Sequence, residues 1–224
     1  MNSRRRIYLK TSIRAALFDL DGVIFDTEGQ YSIFYGNIGR EYLPNIPDFA
    51  QQIKGRTLTQ IFAQWFNGND KAQADITQRL NCLERQMDYI YIPGVRDFIY
   101  MLKKEGIKTA IVTSSNDEKM NSVFRAHPEI NELFDLILTA KDYAASKPAP
   151  DSYLKGVERF NAKPEECAVF EDSVNGLMAG KNAGCLVVGL TTTNPKEVVA
   201  QYADRVIDDF TILSSNRDIL FQHG

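Results

Sequence analysis

Two aspartates, Asp19 and Asp21, follow the apolar run Ala15-Ala16-Leu17-Phe18 and stand two residues apart. If the extended backbone continues past Phe18, both carboxylates point to one side. Carboxylates so placed repel each other unless a proton or a cation lies between them. A second acidic pair, Glu171-Asp172, closes another apolar run, Ala168-Val169-Phe170. Together these groups form an all-oxygen donor set, suited to magnesium rather than to zinc. Other runs end in groups that complement anions. Thr113, Ser114 and Ser115 follow Ile111-Val112, where hydroxyls and backbone N–H groups can hold phosphate oxygens. Lys147 lies in Ser-Lys-Pro-Ala-Pro-Asp, a stretch stiffened by Pro148 and Pro150, with Asp151 placed to cap the next helix. Taken singly, Asp21-Gly22 reads as an ordinary turn and Lys147 as a solvated loop lysine. Jointly they point to a site that holds a cation together with a phosphate or carboxylate.

Competing chemistries lack their residues. No Gly-rich G-x-x-x-x-G-K-[ST] loop is present, which removes the ordinary nucleotide-triphosphatase reading. An EF-hand fails on spacing and on the missing distal glutamate. The only histidines are His127, beside a proline, and His223, so no base for a serine or cysteine nucleophile is evident. Cys82, Cys167 and Cys185 have no ligand-like spacing and read as reduced structural thiols of a cytoplasmic protein. A net charge of −3 gives no electrostatic reason to expect nucleic acid, and the lone basic cluster Arg4-Arg5-Arg6 reads as a solvated tail. Lys10, Thr11, Ser12 and Arg14 interrupt the apolar residues after it, so neither a signal peptide nor a membrane span is expected.

The elements that must position these groups follow from periodicity. Short apolar runs recur at Lys108 to Val112, Leu136 to Leu138, Ala168 to Phe170, Cys185 to Leu190 and Arg205 to Ile207. Helical stripes lie between most of them, as in Val95, Phe98, Ile99 and Leu102. Strands alternating with helices predict a parallel sheet covered on both faces, with its active site at the carboxyl ends of the strands. From about Thr27 to Tyr91 the alternation stops. Three helical stripes follow one another there: Tyr31, Phe34, Tyr35, Ile38; then Leu58, Ile61, Phe62, Trp65, Phe66; then Ile76, Leu80, Leu83, Met87. They predict an all-helical insertion over one edge of the sheet, with the aromatic residues as its core, and Pro93-Gly94 marks the return.

With these residues in place, the chain resembles the haloacid dehalogenase-like superfamily, in particular its β-phosphoglucomutase-like branch with a helical cap. Phe-Asp-Leu-Asp-Gly-Val-Ile-Phe-Asp-Thr (18–27) carries most of the likeness, and Ile-Val-Thr-Ser-Ser, Ser-Lys-Pro-Ala-Pro-Asp and Val-Phe-Glu-Asp-Ser-Val-Asn-Gly follow in the family's order. The resemblance implies an α/β fold: a Rossmann-like, doubly wound parallel core over residues 1–26 and 92–224, with an inserted all-helical cap over 27–91. It also implies that Asp19 attacks phosphorus to form an aspartyl-phosphate, with Asp21 as general acid and base. Mg2+ would be held by Asp19, the backbone carbonyl of Asp21 and Asp172, with Glu171 assisting. Thr113 and Lys147 would neutralise phosphate oxygens, and Ser114, Ser115 and Asn116 would complete the phosphate-binding loop. Asp21 argues against a true dehalogenase, which lacks this second aspartate.

The cap segment Ile53-Lys54-Gly55-Arg56-Thr57 resembles the family's Lys-Gly substrate-contact loop, so Lys54, Gly55 and Arg56 are candidate contacts to the leaving group. The sequence departs from the mutases twice. Tyr31 stands where their cap histidine is expected, and Leu58 where an arginine is. Losing a proton relay and a phosphate anchor favours hydrolysis of a small phosphorylated metabolite, such as a sugar phosphate, by a monomer or weak homodimer. A phosphosugar mutase, and a catalytically silent phosphoester-binding protein on the same fold, are the alternatives.

Overall fold

The structure, a computed structural model, describes residues 13–215. The Arg4-Arg5-Arg6 cluster, Lys10, Thr11, Ser12 and His223 lie outside the described residues. Six strands form one parallel sheet: β1 (Ala15–Phe18), β2 (Lys108–Val112), β3 (Leu136–Leu138), β4 (Cys167–Glu171), β5 (Leu186–Leu190) and β6 (Arg205–Ile207). Their order is β3-β2-β1-β4-β5-β6, with β1 central and paired to both β2 and β4. The strand order therefore reverses between β1 and β4. In open α/β sheets this reversal opens a crevice at the carboxyl edge.

Each apolar run is continuous because both faces of the sheet are covered. Along β1, Ala16 and Phe18 point into one cluster and Ala15 and Leu17 into the other. Helices come in the order α1 (Glu28–Tyr42), α2 (Phe49–Gln52), α3 (Leu58–Trp65), α4 (Asp70–Gln86), α5 (Val95–Lys104), α6 (Asp117–Ala126), α7 (Ile130–Leu133), α8 (Asp151–Arg159), α9 (Val174–Asn182), α10 (Lys196–Val199) and α11 (Thr211–Ser215). Val95, Phe98, Ile99 and Leu102 of α5 join Phe18, Phe170 and Phe210 on the first face. Phe18 stacks on Phe170 with ring centroids 4.5 Å apart, and Phe98 meets Phe170 edge-on at 5.4 Å. On the second face Tyr153 and Val157 of α8 and Ala179 of α9 cover Leu17, Val112 and Val169. Cys167 and Cys185, distant in sequence, are neighbours there, since Ala168 pairs with Leu186 in the β4–β5 register. All three cysteines are free thiols.

The helices α1 to α4 pack around a separate core of Ile38, Phe49, Ile53, Ile61, Phe66, Ala72 and Ile76. Thr57 caps α3 through a capping box with Gln60, which ends the loop before Leu58 sharply. The two crossings between this helical unit and the sheet are laced side by side. Asp26 N–H donates to the Ile90 carbonyl at 2.8 Å, and Ile92 N–H to the Ile24 carbonyl at 2.9 Å. No helix among the described residues is long and apolar enough to cross a membrane. Because Phe98 is fully buried between Phe18, Phe170 and Phe210, Phe98→Ala is expected to cost about 3–5 kcal/mol of stability, read as a lower urea midpoint at unchanged slope.

Candidate active site

The carboxyl edge of β1 and β4 builds the site. Asp19 N–H donates to the Phe170 carbonyl at 3.0 Å, so the ladder runs one residue past β1 and aims Asp19 into the crevice. The chain then turns sharply, with Gly22 N–H on the Phe25 carbonyl at 2.8 Å. Gly22 has φ +69°, and a Cβ there would lie 2.0 Å from Asp172 Oδ2, so only glycine lets the turn pass this close to the carboxylate.

Lys147 joins the two acidic pairs. Its ammonium donates to Asp19 Oδ1 at 2.6 Å, to Glu171 Oε1 at 2.7 Å and to the Val112 carbonyl at 3.2 Å. Glu171 is fully buried, and both its oxygens are occupied. Tyr153 donates to Oε1 at 2.9 Å, while Asp172 N–H, Ser173 N–H and the Ser173 hydroxyl converge on Oε2 at 3.0 to 3.1 Å. Asp172 is held differently: the Thr193 hydroxyl donates to Oδ2, and the Asn194 amide holds its backbone carbonyl at 2.9 Å.

Charge compensation at this edge is incomplete. Burial pushes the Asp19 carboxyl up to about 7, Lys147 opposes the shift, and Glu171 and Asp21 add to it. Burial also raises Asp172 well above the usual carboxylate range, reinforced by Glu171, Glu28 and Asp19. For Lys147, burial works against the charge, but Asp19 and Glu171 outweigh it and hold the ammonium well above its ordinary value. One lysine thus faces several carboxylates. Asp19, Glu171 and Asp172 each offer an oxygen within 4.8 Å of the others, an all-carboxylate set that fits a hard divalent cation such as magnesium. With Glu171 saturated by protein donors, Asp19 and Asp172 are the ligands left open, and Glu171 acts by orienting Lys147.

All the residues singled out from the sequence line one cavity of about 440 Å³ between the sheet edge and the helical unit, though several are already engaged. Asp21 accepts from the Thr27 hydroxyl at 2.6 Å and from the Lys119 ammonium. Thr113 donates to the Ser115 hydroxyl at 2.9 Å and accepts the Ser115 N–H at 3.1 Å, which curls the loop after β2. Asn116 Oδ1 caps α6, accepting Lys119 N–H at 2.9 Å. Lys54 donates to the Thr193 carbonyl at 3.0 Å. Gly55, at φ +71°, presses on Ser173 and accepts from the Asn175 amide at 2.8 Å. Arg56 is exposed, bonded to the Gln52 carbonyl and Gln64 Oε1 and lying over the Trp65 ring.

Several participants escaped the sequence reading. Lys119 looks like a surface residue of an amphipathic helix, yet it is buried against Asp21 with the Tyr31 ring 4.8 Å from its ammonium. Thr193 and Asn194 lie in a polar loop after β5 with no motif. Glu84 gave a usable signal, for it follows Ile76 and Leu80 at steps of four on the apolar face of α4. The first aromatic stripe is also corrected in part. Phe34, Tyr35 and Ile38 belong to the helical core as expected, whereas Tyr31 packs on the core beneath the sheet edge, and both tyrosines also line the cavity.

The raised carboxyls set a pH dependence. A folded pKa above the unfolded one stabilises the fold at low pH, and the benefit is lost as pH rises through the folded value, about 7 for Asp19. Lys147 stays charged throughout that window. Magnesium should therefore raise the melting temperature more at about pH 8 than at about pH 5.5, since protons compete for the same carboxylates. Thermal scans with magnesium or with chelator at both pH values check this.

The geometry agrees with what comparison with known proteins shows. Residues 13–184 match the family model of the haloacid dehalogenase-like hydrolases. The chain is 30% identical over 217 residues to the bifunctional riboflavin kinase/FMN phosphatase of Arabidopsis thaliana, covering 89% of this chain and 54% of that enzyme, so it spans about half that protein's length. It is 28% identical over 204 residues to the validoxylamine A 7'-phosphate phosphatase of Streptomyces hygroscopicus subsp. limoneus, covering 88% and 94% of the two chains. Among solved structures, the β-phosphoglucomutase of Clostridium difficile shares the fold with a TM-score of 0.75 at 22% identity, over 93% of this chain and 97% of that one. The chain belongs to the haloacid dehalogenase-like hydrolases.

Proposed function

We propose that this protein is a cytoplasmic, magnesium-dependent phosphatase of small phosphorylated metabolites that works through an aspartyl-phosphate on Asp19. The observation that carries the proposal is the Lys147 bridge to Asp19 at 2.6 Å, inside the crevice where the strand order reverses. A nucleophilic carboxylate must be ionised. Lys147 favours that form while leaving the second Asp19 oxygen free to attack. The new bond joins that oxygen to phosphorus as the bond from phosphorus to the leaving oxygen breaks. Asp21, at the cavity wall, supplies a proton to the leaving oxygen and then takes one from the water that discharges the aspartyl-phosphate. Thr113, Ser114 and Ser115 orient the transferred group through hydroxyls and backbone N–H groups. Magnesium bound by Asp19 and Asp172 would supply the missing positive charge opposite the phosphoryl oxygens.

Hydrolysis is favoured over phosphosugar mutation by the fate of two side chains. Tyr31, at the family's cap-histidine position, donates its hydroxyl to Glu84 Oε1 at 2.9 Å. Burial, with the charges of Asp21 and Glu84, raises it well above the ordinary phenol range, so it cannot relay protons near neutrality. Arg56, the available substitute for the missing phosphate anchor at Leu58, is bound to Gln64 and Trp65. Two of the similar proteins carry phosphatase activity in their names and one is a β-phosphoglucomutase, so the choice rests on these two side chains.

Phosphorus NMR of a panel of sugar phosphates, phosphoglycolate and pyrophosphate should show magnesium-dependent release of inorganic phosphate. Asp19→Asn should lower that rate by roughly a thousandfold or more. Conversion of glucose 1-phosphate to glucose 6-phosphate with little free phosphate would establish the mutase instead. Binding without turnover would establish the silent protein.

A further inference from the structure

Away from the catalytic edge, the His127 ring lies between two acceptors. Nδ1 is 3.1 Å from Glu129 Oε1, and Nε2 is 2.7 Å from the Tyr89 carbonyl. A carbonyl can only accept a hydrogen bond, and so can an ionised carboxylate. Burial works against the charge of Glu129, but its own backbone N–H, His127 and the Tyr91 hydroxyl outweigh it and hold the carboxyl below its usual range. Only a ring with a proton on each nitrogen serves both partners, since a neutral imidazole would turn a lone pair onto one of the two oxygens. Position agrees with charge. His127 is the C-cap of α6, where the helix dipole favours a cation.

The ring also touches both crossings between the sheet and the helical unit. It stacks on Phe25 of the outgoing crossing with centroids 5.0 Å apart, and meets Tyr91 of the returning one edge-on at 4.6 Å. Phe25 and Tyr91 pair with each other as an antiparallel bridge, and the Phe25 carbonyl closes the turn that carries Asp21. No other group at this corner takes over the charge. Burial lifts the Tyr89 and Tyr91 phenols well above their ordinary range, so both stay neutral. Arg96 of α5 lies over the Tyr91 ring, and Arg125 of α6 donates to the Ser122 hydroxyl.

We propose that His127 is a pH-sensitive clamp on the hinge of the helical unit: doubly protonated, it fastens both crossings to the corner between α6 and α7, and it lets go as pH rises and the ring gives up a proton. The protonated ring finds these two acceptors only in the fold, so its stabilisation is present at low pH and lost on deprotonation. This goes beyond the phosphatase reading and does not depend on it.

Long-range proton–nitrogen NMR of the full chain reads the ring directly, with His127→Gln separating its signals from those of His223, the other histidine. Both His127 ring nitrogens should show imidazolium shifts at about pH 7.5, where a histidine without such partners is largely neutral. Hydrogen exchange of the Asp26 and Ile92 amides, which bond across the crossings, reads the hinge. Corrected for intrinsic rate, their protection should fall about tenfold as the ring deprotonates, and the same pH change should leave it nearly constant in His127→Gln. A neutral ring at about pH 7.5, or an equal loss of protection in His127→Gln, would overturn the proposal. Should His127→Gln fail to fold, Glu129→Gln decides: a ring that loses its proton at lower pH supports the clamp, and unchanged ring protonation overturns it.

Discussion

A single buried ammonium organises the catalytic edge. Lys147 lies between Asp19 and Glu171, with side-chain exposures of 6%, 15% and 0%, so three charges are taken out of water together. Desolvation of that kind is repaid only when every lone pair and proton is used. Glu171 meets this condition through Tyr153, Ser173 and two backbone N–H groups, and Lys147 through its two carboxylates and the Val112 carbonyl. Asp19 and Asp172 do not. Their raised carboxyls mark where the protein leaves its own electrostatics unfinished, which is what a site for a cation and a phosphoryl group requires.

The helical unit completes the enclosure by contacting the same loops that carry the chemistry. Gln60 of α3 donates to the Lys147 carbonyl at 3.3 Å, Lys54 to Thr193, and Asn175 at the start of α9 to Gly55. Thr193 itself donates to Asp172. The loop carrying Lys54 is therefore tied, through one threonine, to the carboxylate that would hold the metal. Contacts between the helical unit and the catalytic edge are thus shared, so the cavity wall and the carboxylates are held by the same hydrogen bonds.

Much of this was legible in the sequence because local rules suffice for it. All six strands fall on the expected apolar runs, since the central strands β1 and β4 are buried throughout and the others carry polar residues only near their starts. Asp19, Thr113, Lys147 and Glu171-Asp172 stood out because each ends or follows such a run, where the edge of a parallel sheet meets ligand. The pairings that tune those groups were not legible. Lys119 on Asp21 spans 98 residues of sequence, and nothing in the α6 pattern distinguishes a buried lysine from a solvated one. Thr193 lies in a loop whose only distinction is where the chain passes. Tyr31 and Tyr35 share a helical stripe with core residues, and periodicity cannot say which part of that stripe meets a cavity. Arg56, expected as a contact to the leaving group, lines the cavity, but its turn toward Trp65 depends on the packing of α3.

The central claim is that Asp19 becomes covalently phosphorylated. The most direct measurement mixes the enzyme with a hydrolysed substrate and magnesium, quenches in acid during the first turnover, and maps the phosphoryl group by peptide mass spectrometry at acid pH. The label should appear on Asp19 alone and decay at the rate at which inorganic phosphate is released. A label on another residue, or phosphate release with no phosphorylated peptide at any quench time, would contradict the assignment of Asp19 as the nucleophile.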